Sequence, residues 1–234
     1  MNYYSIADLI IGFEPKYSML REHSKPYLCT ESGVADYVIP PNAPGFAEVV
    51  AAHPEATEEL LEYLHIGTLF YSLFIQHNGL MLHSSAVVVD DACYAFSADS
   101  GVGKSTHTAL WLKEFVDRGA YILNDDKPAI KLKDGRFFAW GTPFSGAENI
   151  SVNRAVALKA IAFVERSETN SIERLSTKEI MPRLFKQTIR PSDERLMNLL
   201  LNTIEQLVEQ VPMYLLRCNM EPQAAHIAFE KMSR

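Results

Sequence analysis

The chain has 234 residues, with 22 Lys and Arg against 29 Asp and Glu and a formal net charge of −7. With 47% hydrophobic and 22% charged residues it has ordinary globular usage, which excludes a disordered chain and suits one α/β domain with a small extension. The acidic balance argues against nucleic acid as a partner, and three scattered cysteines without a CxxC (Cys29, Cys93 and Cys218) read as reduced thiols rather than a disulfide framework or zinc site.

Residues 1–52 read as short strands and turns. Tyr4 to Ile10 is β-prone, Tyr37-Val38-Ile39 runs into Pro40-Pro41, and Pro40 to Pro44 is a loop. Met1-Asn2-Tyr3-Tyr4 lacks the basic and apolar stretches of a secretory signal. From Pro54 to His77 the pattern predicts a helix, with Leu60, Leu61, Leu64, Leu69, Phe70 and Leu73 on its apolar faces and Asn78-Gly79 as its stop. Its longest apolar stretch carries Glu62 and His65, so it reads as a buried helix and not a membrane span. The expectation is a soluble, cytoplasmic protein without a membrane partner.

Ser85 to Val89 and Cys93 to Phe96 predict a hairpin turning at Asp90-Asp91. A helical pattern with Leu110, Leu112, Phe115 and Val116 runs to Gly119, and Tyr121-Ile122-Leu123 is a further strand. Strands then follow at Pro128 to Leu132 and Phe137 to Trp140, joined by Asp134-Gly135, and at Leu158 to Val164. Ser176-Thr177-Lys178-Glu179 is a capping box opening a helix that Pro182 should kink or shorten. Leu196 to Val208 is an amphipathic helix, Met213 to Leu216 a strand, and Pro222 to Met232 a last helix.

Between the hairpin and the next helix lies Ala98-Asp99-Ser100-Gly101-Val102-Gly103-Lys104-Ser105-Thr106, a phosphate-loop pattern with Ala98 at the usual first glycine. Gly101 and Gly103 allow the backbone to curl around an anion, and the following helix adds the positive end of its dipole. Residues Asp99 to Thr106 are therefore the candidate nucleotide-binding set. Lys104 places a compact charge on the β- and γ-phosphates, and the Ser105 hydroxyl is a ligand for Mg²⁺. In Asn124-Asp125-Asp126, Asp125 lies 21 residues after Lys104, just past a strand expected beside the loop. Such an acid pair can divide two tasks, holding Mg²⁺ and accepting the proton of an attacking hydroxyl. His83 opens the hairpin strand, within reach of that pair.

In this order, His83, the loop through Ser105, and Asp125-Asp126 resemble the catalytic domain of HPr kinase/phosphorylase and the wider phosphoenolpyruvate-carboxykinase-like group. Leu82 to Ser85, Leu123 to Asp126 and Gly141 to Gly146 resemble a subgroup of HPr-kinase-related proteins. The resemblance spans residues 79–220. It implies an α/β fold with a P-loop nucleotide-binding core of the HPr kinase C-terminal type, a mixed, strongly curved sheet, and ATP with Mg²⁺ as cofactors. The kinase-like domain would occupy residues 53–234 and a small β-rich extension residues 1–52. It further implies transfer of the ATP γ-phosphate to a hydroxyl, with Asp125 as catalytic base, Asp126 on the metal side, His83 supporting the aspartate, and a homo-oligomer as assembly. The family's signature after the acid pair is replaced here by Trp140 to Asn149, a segment suited to a lid or acceptor loop with Glu148 as a further metal ligand. Arg183 and Arg190 are candidate cations for the transferring group. The expected function is a Mg-ATP-dependent kinase acting on a hydroxyl of a peptide, protein or small molecule; the alternative is a nucleotide sensor or scaffold without transfer. A full carboxykinase is too long for this chain, and a motor-type ATPase carries its second acidic motif on a later strand.

Overall fold

The computed structural model describes residues 1–29 and 34–234, and the chain starts with a hairpin. Strands β1 (Asn2–Ile6) and β2 (Leu9–Phe13) turn on Ala7 and Asp8, both at positive φ (+50° and +65°), which matches the twist of the paired strands. Helix α1 (Ser18–Ser24) follows, then β3 (Tyr37–Val38) parallel to β2, and α2 (Phe46–Ala52). The two seven-residue helices correct the reading of residues 1–52 as strands and turns. Two helical turns are too short to carry an apolar period, and such a helix depends on tertiary contacts. For α1 these include the Glu59 carboxylate, which accepts from the Met19 N–H at 2.8 Å.

Helix α3 (Glu58–Phe74) starts where Thr57 caps it, its hydroxyl accepting from the Leu60 N–H at 3.3 Å. The chain leaves a short 3₁₀ turn through Asn78 at φ +56°. Next come β4 (Gly79–Met81), β5 (Ser84–Val89) and β6 (Ala92–Ser97). The β5–β6 hairpin turns on Asp90 and Asp91, again both at positive φ. Helix α4 (Lys104–Glu114), β7 (Tyr121–Asp126), β8 (Ala129–Lys133), β9 (Arg136–Trp140) and β10 (Ala155–Arg166) complete the centre of the chain. The C-terminal part adds β11 (Ser171–Arg174), α5 (Thr177–Lys186), α6 (Glu194–Gln210), β12 (Met213–Cys218) and α7 (Pro222–Met232). Helix α5 opens on its capping box, with Glu179 accepting from the Ser176 N–H at 3.0 Å, and continues past Pro182 to Lys186.

Strand β10 is the spine of a curled, mixed sheet. Its first residues pair antiparallel with β9, its middle runs parallel to β6, and its end runs parallel to β12. Changing partners along one strand bends the sheet, and the neighbours run in the order β4-β8-β9-β10-β6-β5-β7. Strand β7 lies beyond β5, antiparallel to it.

Side chains alternate between two apolar layers, as the strand period requires. Val87, Phe96, Ala162 and Leu216 meet Trp111 of α4 and Ala224 and Ala228 of α7. Val88, Ala95, Ile161 and Leu215 meet Ile180 and Leu184 of α5 and Leu200, Ile204 and Leu207 of α6. A third core joins Tyr4, Ile11 and Phe13 of the first hairpin to Tyr63, Phe70 and Phe74 of α3 and to Trp140 and Phe144. Among the described residues no helix is long and apolar enough to cross a membrane.

His107 sits inside the α4 layer, 2% exposed, and accepts from the Trp111 indole N–H at 3.0 Å. Burial lowers its pKa to about 4. The folded value lies below the unfolded one of about 6.5, so the neutral ring contributes stability above that pH, and the contribution is lost as pH falls from 6.5 toward 4. The expected outcome is a steeper fall of the urea midpoint between pH 7 and 5 in the wild type than in His107→Leu. Equal slopes would contradict a buried neutral imidazole.

Candidate functional site

After Ser97 the backbone curls through Gly101 (φ +76°) and Gly103 (φ +124°) and enters α4 at Lys104. A Cβ at either glycine would meet nothing within 4 Å, so the backbone angle and not space demands glycine. Arg166, at the end of β10, braces the loop: its Nε donates to the Val102 carbonyl at 2.9 Å and its Nη2 to the Gly101 carbonyl at 2.5 Å. In a trans peptide the C=O and the next N–H point in opposite directions, so the N–H groups following those carbonyls point away from Arg166. The first turn of α4 adds its positive dipole end to this side.

Lys104 is 9% exposed. Its Nζ donates to the Ala98 carbonyl at 3.0 Å and lies 3.1 Å from His83 Nε2. Burial holds its pKa below the ordinary lysine value, against the pull of Asp126, Asp125 and Asp99. The acids arrive on β7, whose end is fixed by a buried polar cluster. Asn124, fully buried, donates from Nδ2 to the Thr142 carbonyl at 3.0 Å and accepts from the Lys127 N–H at 2.9 Å. Thr142, also fully buried, donates its hydroxyl to the Lys127 carbonyl at 3.0 Å and accepts from the Phe144 N–H at 3.2 Å. The Tyr71 hydroxyl donates to the same Lys127 carbonyl.

This clasp presents Asp125 and Asp126 in different directions. Asp125 Oδ1 accepts from the Ser105 hydroxyl at 3.0 Å. Asp126 Oδ1 lies 3.3 Å from His83 Nε2, and its Oδ2 pairs with the Lys127 ammonium. Burial raises the Asp126 pKa, but its charged surroundings, the paired Lys127 ammonium among them, outweigh it and leave the carboxyl below its usual range. Asp126 also stands at φ +146°, a backbone angle that L residues rarely adopt. A Cβ on Gly146 would come within 3.2 Å of the Asp125 carbonyl and of Asp126 Cβ, so the 141–149 segment lies directly against the acids. Tyr63 of α3 accepts from the Gly146 N–H at 3.0 Å, and His23 of α1 contacts the Pro143 carbonyl at 3.2 Å.

These groups surround a cavity of about 420 Å³ lined by Ser100, Gly101, Gly103, Lys104, Ser105 and Thr106 on one side and by His83, Asp125, Asp126, Gly146 and Glu148 on the other. Of the loop residues singled out from sequence, Asp99 and Val102 do not line it. Asp99 turns outward, accepting from Lys186 Nζ at 2.5 Å and Gln187 Nε2 at 2.8 Å, and Val102 lines a second cavity of about 410 Å³. The second cavity adjoins the first at Gly103 and Thr106 and is walled by Leu110, Val164, Arg166, Asn219 and Met220. Arg183 and Arg190 do not line the first cavity; Arg183 faces Glu165 at 3.7 Å. Sequence reading missed Arg166, Lys186 and Gln187. They lie far along the chain from the loop, and no local spacing marks them.

The donors facing the first cavity fit a hard divalent cation. Ser105, Asp125 and Asp126 offer oxygen only, the set that suits Mg²⁺. Among the described residues no group of three His, Cys, Asp or Glu could hold a metal ion. Mg²⁺ uses one or two carboxylates together with substrate phosphates rather than an all-protein cage, and a pair of acids beside the glycine loop fits that requirement.

No family model and no curated protein matches the chain. Among solved structures it is similar to the Hpr(Ser) kinase/phosphatase from Coxiella burnetii, at 12% sequence identity and a TM-score of 0.38, over 66% of this chain and 99% of that one.

Thr142→Val keeps the side-chain shape and removes the hydroxyl from the clasp, leaving the Phe144 N–H unpaired in a buried setting. The expected outcome is a loss of about 1–3 kcal/mol in urea unfolding. An unchanged midpoint would show that the cluster does not fix the end of β7.

Proposed function

We propose that this chain is a Mg-ATP-dependent phosphotransferase that moves the γ-phosphoryl group to a hydroxyl of a peptide, protein or small molecule. One observation carries the reading: a buried lysine, a helix N-terminus, a serine hydroxyl, two carboxylates and a histidine converge on one cavity. Phosphoryl transfer asks for little besides this, since positioning and charge neutralisation supply most of the catalysis. The order of these residues in the chain also resembles the HPr-kinase-like group.

The loop and the α4 terminus bind the phosphates, and Lys104 exchanges its internal partners for phosphate oxygens. The nucleoside end extends past Gly103 and Thr106 into the second cavity, at the carboxyl ends of the parallel strands β6, β10 and β12. When bound, Mg²⁺ neutralises charge on the transferring group. The acceptor oxygen forms a bond to the γ-phosphorus, the bond from that phosphorus to the bridging oxygen breaks, ADP leaves with that oxygen, and the hydroxyl proton passes to a carboxylate.

Geometry favours exchanging the two roles that the family resemblance implied. Asp125 is the acid already bonded to Ser105, so these two take the metal side. Asp126 has His83 against it and no tie to Ser105, so it takes the base role. Asp126→Asn is expected to keep ATP affinity within about threefold and to lower transfer by about 10²-fold or more. Asp125→Asn is expected to lose the dependence of ATP affinity on Mg²⁺. The reverse pattern in calorimetry and transfer assays would restore the original roles. Incubation with γ-labelled ATP and a cell extract is expected to place label on a product stable to hydroxylamine, as a phosphate ester of a hydroxyl is. Tight binding without any labelled product would identify a nucleotide sensor instead.

A further inference from the structure

The residue that ties the two halves of the cavity together is Gln187, which belongs to neither. It closes the C-terminus of α5, is 7% exposed, and holds His83 twice. Its backbone carbonyl accepts from the His83 N–H at 2.8 Å, and its side-chain Oε1 lies 2.8 Å from His83 Nδ1. Its Nε2 donates to Asp99 Oδ1, within the glycine loop, at 2.8 Å.

The orientation of this amide follows from its partners. An ionised Asp99 carboxylate can only accept, and its pKa is held down by Lys186 first and by Gln187 next. The NH₂ end of Gln187 must therefore face Asp99, and the oxygen end must face His83. An oxygen there can only accept, so His83 Nδ1 carries a proton. The Lys104 ammonium can only donate, so Nε2, 3.1 Å from Lys104 Nζ, accepts with its lone pair while lying 3.3 Å from Asp126 Oδ1. Turning the amide over would set its oxygen against the Asp99 carboxylate and its NH₂ against Nδ1. Chain neighbours lock the arrangement further: Ser97 donates to the His83 carbonyl at 2.8 Å, and Thr188 donates to the Met81 carbonyl at 2.6 Å.

We propose that Gln187 is a positioning residue that holds His83 as the Nδ1–H tautomer, with Nε2 as an acceptor between Lys104 and Asp126, and that it links this choice to the glycine loop through Asp99. Nucleotide phosphates that draw Lys104 away from His83 leave the Nε2 lone pair facing Asp126, where it can accept the proton that Asp126 takes from the acceptor hydroxyl. The kinetic consequence rests on the phosphotransferase reading. The tautomer itself does not.

The test is ¹⁵N-detected NMR of the histidine rings in the full, ligand-free chain, followed toward high pH until the ring signals no longer change, so that the neutral form is read. His83 is expected to show a pyrrole-type Nδ1 and a pyridine-type Nε2. In Gln187→Leu, which removes both side-chain bonds, the proton is expected to move to Nε2, toward Asp126, and the two signal types to exchange. In Gln187→Glu the acceptor toward Nδ1 is kept, so the wild-type tautomer is expected to persist while the second carboxylate repels Asp99. A wild-type His83 protonated on Nε2, or a Gln187→Leu spectrum identical to wild type, overturns the proposal whether or not the protein transfers phosphate. If Gln187→Leu does not fold, the wild-type and Gln187→Glu spectra decide it. Where transfer is measurable, Gln187→Leu is expected to lower kcat about tenfold or more with ATP affinity kept within about threefold. Parallel loss of both, with the tautomer unchanged, would reduce Gln187 to a structural role.

Discussion

A lysine ammonium that is nine-tenths covered has to be surrounded by acceptors, and most of the candidate site follows from meeting that demand at Lys104. The Ala98 carbonyl and the His83 ring lie against its Nζ, with Asp126, Asp125 and Asp99 as the carboxylates near enough to pull its pKa back up. Each of those groups needs its own support. Gln187 orients His83, the Asn124–Thr142 cluster fixes the acids, and Arg166 holds the loop carbonyls. An apolar residue in place of Lys104 would leave this scaffold without a reason for its polar interior.

The fold places these supports by one topological device. Strand β10 passes from β9 to β12 on one side while running beside β6 on the other. Its end therefore delivers Arg166 to the loop that leaves β6. Strand β5 lies between β6 and β7 and carries His83 just ahead of its start. The histidine thus stands between the loop and the acid pair. The N-terminal elements contribute from outside: α1 supplies His23 to the 141–149 segment, and α3, beyond residue 52, supplies Tyr63 and Tyr71.

What could be read from the sequence was local. Asp90-Asp91 marks a turn because both residues tolerate positive φ, and Asp134-Gly135 does the same for β8 and β9. The Gly101, Gly103, Lys104, Ser105 spacing marks a tight turn into a helix, because both glycines stand at positive φ and α4 starts at Lys104. The capping box at Ser176 and the proline at Pro222 mark helix starts. What could not be read was either too short or too distant. Helices α1 and α2 span seven residues each and show no apolar period. Strand β11 is four residues with one half-buried side chain. Gln187 lies 88 residues from Asp99 and 104 from His83, so only the folded sheet brings the three together. The two aspartates look equivalent in a string, and their division of contacts appears only when Ser105 and His83 are placed in space.

The most direct measurement is calorimetric titration of the intact chain with ATP, with and without Mg²⁺, in the wild type and in Lys104→Ala. Saturable binding of one nucleotide that strengthens with Mg²⁺ is expected, with a loss of about a hundredfold or more in the variant. Absence of binding by the wild type, or equal affinity in Lys104→Ala, would contradict the claim that this cavity holds a nucleotide's phosphates.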